Sequence, residues 1–276
     1  MKPKLSILVL VKDEAARLPS FFAALKPLKL AHEVLVVDTG SKDRSVALAR
    51  KAGARVLRVP WRGFAETRNR AFASCRADHI LVLDADENPD GGLLGALERA
   101  VLLEPPGLWS VNRLGYFLGK PVFHGGWHPD RHLRLFPKGA ARFNARLVHE
   151  GMEPEVPGTP VRRLDGILHH HSYPDLDGYL SRLNRYTSLQ AEELMLRKGP
   201  RPLQALLRLA VDPPLTFLKM YLLKRGFQDG ETGLALALLS GSSTFWKYAK
   251  WWQASRAKNQ GEAGRDFDVA AFKGRD

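Results

Sequence analysis

Two apolar runs that break off at carboxylates constrain this chain most. Leu35-Val36-Val37 stops at Asp38, and Ile80-Leu81-Val82-Leu83 stops at Asp84-Ala85-Asp86-Glu87. A short continuous apolar run suits a parallel strand buried on both faces. In an open α/β sheet, ligands sit in the crevice beyond the carboxyl ends of the strands. The two runs therefore aim several carboxylates at one crevice. Asp-x-Asp in such a place suits a divalent cation held against a diphosphate, since Mg²⁺ usually combines one or two carboxylates with substrate phosphates. Taken alone, Asp-x-Asp is also an ordinary polar turn. Its position level with Asp38 favours the metal. Asp38 suits a bond to a nucleoside hydroxyl or base edge, or a helix cap. Glu87 is either a further site carboxylate or a helix-start charge, and reads more readily as the second.

The surrounding pattern agrees with an α/β sheet. Strands are expected over Leu5–Val11, 33–37, 55–59 and 79–83, and helices over 15–25, 45–52, 64–74 and 90–103. This alternation means βαβ units and a parallel sheet. After Glu104-Pro105-Pro106-Gly107 the pattern changes. Short strands are expected over 109–114 and 133–136, around a Gly/His/Trp-rich loop at 119–130. A helical period covers Leu176–Lys198, breaks at Gly199-Pro200-Arg201-Pro202, and resumes over 203–224 and 233–252. The expected divisions are an α/β half at 1–105, a second lobe of short strands at 106–175, a helical, basic and apolar region at 176–255 and a polar tail at 256–276. No Gly-x-Gly-x-x-Gly follows the first strand, and no Gly-x-x-x-x-Gly-Lys-Ser/Thr occurs, which disfavours dinucleotide and P-loop enzymes.

Charge narrows the partners. The 276 residues carry a net charge of +13, which calls for a polyanion. Residues 197–258 hold eleven Lys/Arg and three Asp/Glu, a difference of +8, and are rich in Leu, Phe, Trp and Tyr. A basic and strongly apolar segment suits an anionic membrane surface better than nucleic acid. A basic nucleic-acid-binding protein is the competing reading, but no such motif appears, and the carboxylate cluster would repel phosphates without a metal. No apolar run reaches the ~18 residues of a membrane span, and no signal peptide is expected, so the default is a cytosolic protein. The single cysteine, Cys75, excludes an internal disulfide and reads as a packing residue.

Further candidates lie along the chain. Arg68 and Asn69 share a helix and suit a diphosphate, with Arg as the bidentate partner; they are equally acceptable as surface residues. Glu150 in Val148-His149-Glu150 suits a general base on an acceptor hydroxyl, and Asp130 competes for that role. In His169-His170-His171 at most two imidazoles can face one site if the segment is extended, because neighbours alternate.

Together these stretches resemble the family 2 glycosyltransferases, and the later ones resemble the bacterial branch that builds lipopolysaccharide core. The likeness runs from Leu5-Ser6-Ile7-Leu8-Val9 and Lys12-Asp13-Glu14 through residues 36–43, Arg68-Asn69 and 84–87. It continues over 125–136, 148–150, 170–173 and 183–187. The resemblance implies a GT-A fold: a Rossmann-like, mostly parallel sheet with helices on both faces, plus a small acceptor lobe and C-terminal amphipathic helices. It implies a nucleotide-diphosphate sugar donor bound by Val11, Glu14, Asp38, Ser41, Arg68, Asn69 and Asp84. Asp86 and His170 would ligate Mg²⁺ or Mn²⁺, with His169 and His171 one register step away. Glu150, or Asp130, would take the proton of a lipid-linked or lipopolysaccharide acceptor in a single inverting displacement. The enzyme would sit on the inner face of the cytoplasmic membrane and bind no nucleic acid. A non-catalytic sugar-nucleotide-binding module is the remaining alternative.

Overall fold

A computed structural model describes residues 4–30, 32–144 and 151–259. In chain order it forms β1 (Leu5–Val11), α1 (Leu18–Leu25), β2 (His32–Asp38), α2 (Ser45–Lys51), β3 (Arg55–Arg58), α3 (Phe64–Phe72) and β4 (His79–Asp84). Then come β5 (Glu87–Pro89), α4 (Gly91–Leu102), β6 (Leu108–Phe117), β7 (Lys120–Pro121), β8 (Asp130–Pro137), β9 (Ala141–Phe143), β10 (Met152–Pro154) and β11 (Val161–Tyr173). The helices α5 (Leu176–Lys198), α6 (Pro202–Leu218) and α7 (Gly230–Asn259) follow, with a π-helical turn at Lys219–Leu223 and a 3₁₀ turn at Gly226–Asp229. The chain divides into two compact units: the residues up to Leu114 with Pro129–His171, and Gly115–His128 with the described residues from Ser172 onward.

The first unit is built on a sheet in the order β3-β2-β1-β4-β8-β6-β11-β5. The first four strands are parallel, and β8 joins β4 antiparallel. Alternation along β1 divides the core. Leu5, Ile7, Val9 and Val11 pack with Leu18, Phe21 and Leu25 of α1 and with Leu93, Leu97 and Ala100 of α4. Leu8 packs on the other face with Ala65, Ala71 and Phe72 of α3. Helices therefore cover both faces, which is why these strands carry unbroken apolar runs. The fold class expected from sequence, a GT-A α/β sheet, is the one observed.

The differences from expectation have local causes. Helix α1 starts at Leu18 rather than at residue 15, because Arg17 and Leu18 donate back to the Glu14 carbonyl at 3.0 and 3.1 Å and close a turn first. Pro19 then sits at the helix start, where its missing N–H costs nothing. Strand β11 was not expected, since Val161-Arg162-Arg163-Leu164-Asp165-Gly166 has no apolar run; its first half is largely exposed. Gly166 takes φ +94°, and a Cβ there would lie 2.1 Å from the Leu93 backbone nitrogen, so only glycine lets β11 meet the start of α4. The 106–175 stretch is divided between the units: β8 and most of β6 and β11 belong to the sheet, and Gly115–His128 belongs to the helical unit.

In the second unit α5, α6 and α7 pack around two apolar clusters. Phe117, Val122, Tyr179 and Leu236 form one, and Ala191, Ala205 and Trp251 the other. The 115–128 loop is tied to the turn before α7. The His124 backbone N–H reaches Asp229 at 2.7 Å, its ring Nδ1 lies 2.8 Å from the same carboxylate, and the Gly125 N–H donates to the Lys224 carbonyl at 2.9 Å. No described helix is long and apolar enough to cross a membrane.

Candidate active site

Strand register sets the geometry. Strand β1 lies between β2 and β4, with Val11 opposite Asp38 and Leu10 opposite Asp84. The two carboxylates thus end the strands on either side of β1 at nearly one level, two strand spacings or about 10 Å apart. The loops beyond β1 and β2 are laced together. Asp13 Oδ1 accepts from the Lys42 N–H at 2.7 Å, Ser41 Oγ from the Asp13 N–H at 3.0 Å, and Ser45 Oγ from the Glu14 N–H at 2.8 Å. The Val11 carbonyl accepts the Thr39 N–H at 3.0 Å. This lacing ties Val11, Glu14 and Ser41 together at the carboxyl ends of β1 and β2.

Asp38 is almost fully buried. Its Oδ1 accepts the Ser41 N–H at 3.1 Å, while Arg58 Nε stands 3.5 Å from Oδ2, which has no hydrogen-bond partner among the described residues. A charge contact at that distance does not fill the acceptor. Asp38, Gly40, Ser41, Arg58, Val59 and Pro60 line a cleft of about 370 Å³. A buried carboxylate oxygen with an open lone pair beside a cleft suits an N–H or O–H donor of a ligand.

Asp84-Ala85-Asp86-Glu87 forms a tight turn from β4 into β5, closed by the Asp84 N–H donating to Glu87 Oε2 at 2.9 Å. Glu87 is no helix-start charge. It is fully buried and meets Arg134 at 2.6 Å and Arg113 at 3.5 Å. Asp84 accepts from Arg68 at 2.5 Å and Arg134 at 3.3 Å. Burial pushes the Asp84 carboxyl up, but Arg68 and Arg134 outweigh it and hold it well below the usual range. The Arg68 guanidinium lies between the Phe64 and Phe143 rings, 5.4 and 5.1 Å from their centroids. Asn69 turns elsewhere: both ends of its amide bond the Phe143 backbone, at 2.8 and 2.9 Å, and so tie α3 to β9.

Asp86 and His170 are brought together. In β11 the residues opposite Asn88 and Glu87 are His169 and His170. His170 Nε2 lies 3.4 Å from Asp86 Oδ2, and the His171 N–H donates to the Asp86 carbonyl at 3.0 Å. Neighbours on an extended strand alternate, so His170 is the imidazole that shares the Asp86 side. Burial raises the Asp86 carboxyl, and the bond from His170 more than offsets it, leaving a lowered value. Glu14 moves the other way: burial lifts it, Asp84 and Asp86 add to the rise, and its 2.8 Å bond to Arg17 opposes. Among the described residues no group of three or more His, Cys, Asp or Glu gathers as a metal cage. The Asp86 carboxylate fits the Mg²⁺ habit of combining one or two carboxylates with phosphate and water, while the His170 imidazole nitrogen suits a transition metal such as Mn²⁺ better than Mg²⁺.

Asp130 is committed. Arg113 Nε lies 2.8 Å from Oδ2 and His132 Nε2 2.8 Å from Oδ1. Burial raises this carboxyl, but His132 and Arg113 outweigh it and keep it well below the usual range. A carboxylate so held is a weak proton acceptor. Glu150 lies outside the described residues.

Arg113 and Arg134 are the functional neighbours that sequence reasoning missed. Their signal was a cation inside a strand-like run, Leu133-Arg134-Leu135-Phe136, which needs a buried partner. Removing Arg134 would leave Glu87 buried and short of its closest charge partner. Arg134→Met is expected to destabilise the fold by about 3–5 kcal/mol, the usual cost of breaking a buried pair. Urea unfolding measures it; a loss under about 1 kcal/mol would mean the pair is not coupled.

The sequence profile of glycosyl transferase family 2 matches residues 6–154. The lipopolysaccharide core biosynthesis glycosyltransferase LpsC of Rhizobium meliloti is 29% identical over 90% of this chain and 95% of that protein. An uncharacterized glycosyltransferase of Rickettsia bellii is 25% identical over 96% and 91%. Among solved structures, the mannosyltransferase PcManGT from Pyrobaculum calidifontis in complex with GDP-Man and Mn²⁺ matches with a TM-score of 0.52 at 14% identity, over 91% of this chain and 87% of that one. That last likeness concerns the fold alone.

Proposed function

We propose that this chain, which belongs to glycosyl transferase family 2, transfers a sugar from a nucleotide-diphosphate donor to a hydroxyl of a lipid-linked or lipopolysaccharide acceptor. The carrying observation is the joint placement of Asp38, Asp84, Asp86 and His170 at the carboxyl ends of β1's neighbours and on β11. The open Oδ2 of Asp38 suits a donor group of the nucleoside. The likeness to LpsC supports the acceptor class.

Each residue has a role in this reading. Asp38 and Ser41 orient the nucleoside. Arg68 and Arg134 fix the Asp84 carboxylate, so the turn carrying Asp86 does not drift. Asp86 and His170 would hold Mg²⁺ or Mn²⁺, which when bound supplies Lewis-acid neutralisation of the leaving diphosphate. Glu150 takes the proton of the acceptor hydroxyl, and the acceptor oxygen attacks the anomeric carbon from the face opposite the nucleotide. Configuration inverts, with no covalent sugar intermediate. The work is done at the inner face of the cytoplasmic membrane.

A titration of UDP-, GDP-, ADP- and CMP-sugars with and without Mn²⁺ tests the reading. One base class is expected to bind, and to bind far more tightly with the metal. Salt-sensitive retention on DNA with no sugar-nucleotide binding would replace it with a nucleic-acid-binding protein.

A further inference from the structure

Helix α6 presents its apolar side outward. Leu203, Leu206, Leu207, Val211, Leu215 and Leu218 are 44–71% exposed. Leu203, Leu207, Val211, Leu215 and Leu218 follow one another at three- and four-residue steps, so they form one stripe. Ala205, on the opposite side, is fully buried. Thr216 meets Thr244 of α7 at 3.2 Å, and the Gly241 position abuts the Pro213 carbonyl, so the inward face of α6 is occupied by α7. The stripe continues past the helix into the π-helical turn through Leu222 (52%) and Leu223 (81%). A helix of a water-soluble surface carries the reverse pattern, with polar residues outward.

The charges name the occupant. Residues 197–225 hold seven cations, Arg197, Lys198, Arg201, Arg208, Lys219, Lys224 and Arg225, and one acid, Asp212. That acid is paired with Arg208 at 3.3 Å. An anionic bilayer offers apolar depth beneath a uniformly negative surface, which matches an apolar stripe flanked almost wholly by cations. The segment cannot span, because no described helix is long and apolar enough.

We infer that the outward stripe of α6 and the turn after it form an in-plane docking surface for an anionic lipid bilayer, with the flanking Lys and Arg on headgroup phosphates. This is narrower than the aromatic-rich segment 245–252 suggests: Trp251 is fully buried in the second core, and only Phe245 and Trp246 of its large residues are well exposed. It rests on the transferase reading only for its purpose, which is to hold the site beside a lipid-linked acceptor.

The test is co-sedimentation of the full chain with phosphatidylglycerol and phosphatidylcholine vesicles at low and high salt. Wild type is expected to bind the anionic vesicles at least about tenfold better, with roughly a fivefold contribution per cation lost in high salt. Leu207→Asp with Val211→Asp and Leu215→Asp should lower anionic-vesicle binding at least about tenfold with unchanged melting temperature, since all three are exposed. Lys219→Glu with Arg225→Glu tests the charge arm and should abolish the lipid preference. Wild type that binds neither vesicle, or triple-variant binding equal to wild type, overturns the proposal. So does a dimer in light scattering that the triple variant dissociates, which would make the stripe a self-association face. Sugar-nucleotide titration of the same samples keeps the two claims apart: vesicle binding without donor binding would fail the transferase reading and leave the docking surface standing.

Discussion

Asp86→Ala is expected to abolish sugar transfer and the metal dependence of nucleotide binding while the fold survives. Among the described residues the Asp86 side chain has one close ionic partner, His170 at 3.4 Å, and its backbone carbonyl, untouched by the substitution, keeps the bond to β11. What is lost, in the proposed reading, is an oxygen ligand of the metal. A metal polarising a phosphoryl oxygen is worth several kcal/mol in the transition state, so a fall of about 10³ or more in kcat/KM is expected, near 4 kcal/mol. Asp84→Ala should differ in kind, because it strips Arg68 and Arg134 of a shared partner and lowers stability as well. Steady-state kinetics with a metal titration, beside thermal melts, separates the two. Full activity in Asp86→Ala with metal still required would move the ligand elsewhere.

Glu150→Gln is expected to keep donor binding and lose most turnover. The substitution preserves shape and removes the basic lone pair, and general-base removal costs about 10²–10⁴ in rate. The alternative base, Asp130, is engaged at both oxygens by Arg113 and His132 and held at a low proton affinity. Asp130→Asn should therefore act through the Arg113–Glu87 connection more than through chemistry, and retain much more turnover than Glu150→Gln. Single-turnover rates for the two variants decide the assignment. An inactive Asp130→Asn beside a near-normal Glu150→Gln would make Asp130 the base.

The parallel half of the sheet was legible because buried strands write themselves as unbroken apolar runs: Leu35 to Val37 and Ile80 to Leu83 are each fully or nearly fully buried. The carboxylates ending those runs were legible for the same reason, since a charge visibly interrupts an apolar run at the strand's carboxyl end, even where, as at Asp38, it stays buried. Strand β11 was not, because its burial alternates weakly and Gly166 and Asp165 interrupt it. The choice among three consecutive histidines needed the β11–β5 register, a long-range pairing that no local pattern encodes. Glu87 was read as a helix-start charge because its partners, Arg113 and Arg134, lie on strands distant in sequence. In the helical unit the basic and apolar composition was visible, but which residues face outward was set by tertiary packing: Trp251 went inward, and the leucines of α6 outward.

The most direct test of the central claim is the anomeric outcome of transfer from the donor class selected by titration to a lipid-linked sugar acceptor, read by NMR of the isolated product in Mn²⁺. The account predicts a product of inverted configuration, formed by wild type and absent with Asp86→Ala. A retained configuration, or equal product from Asp86→Ala, would contradict it.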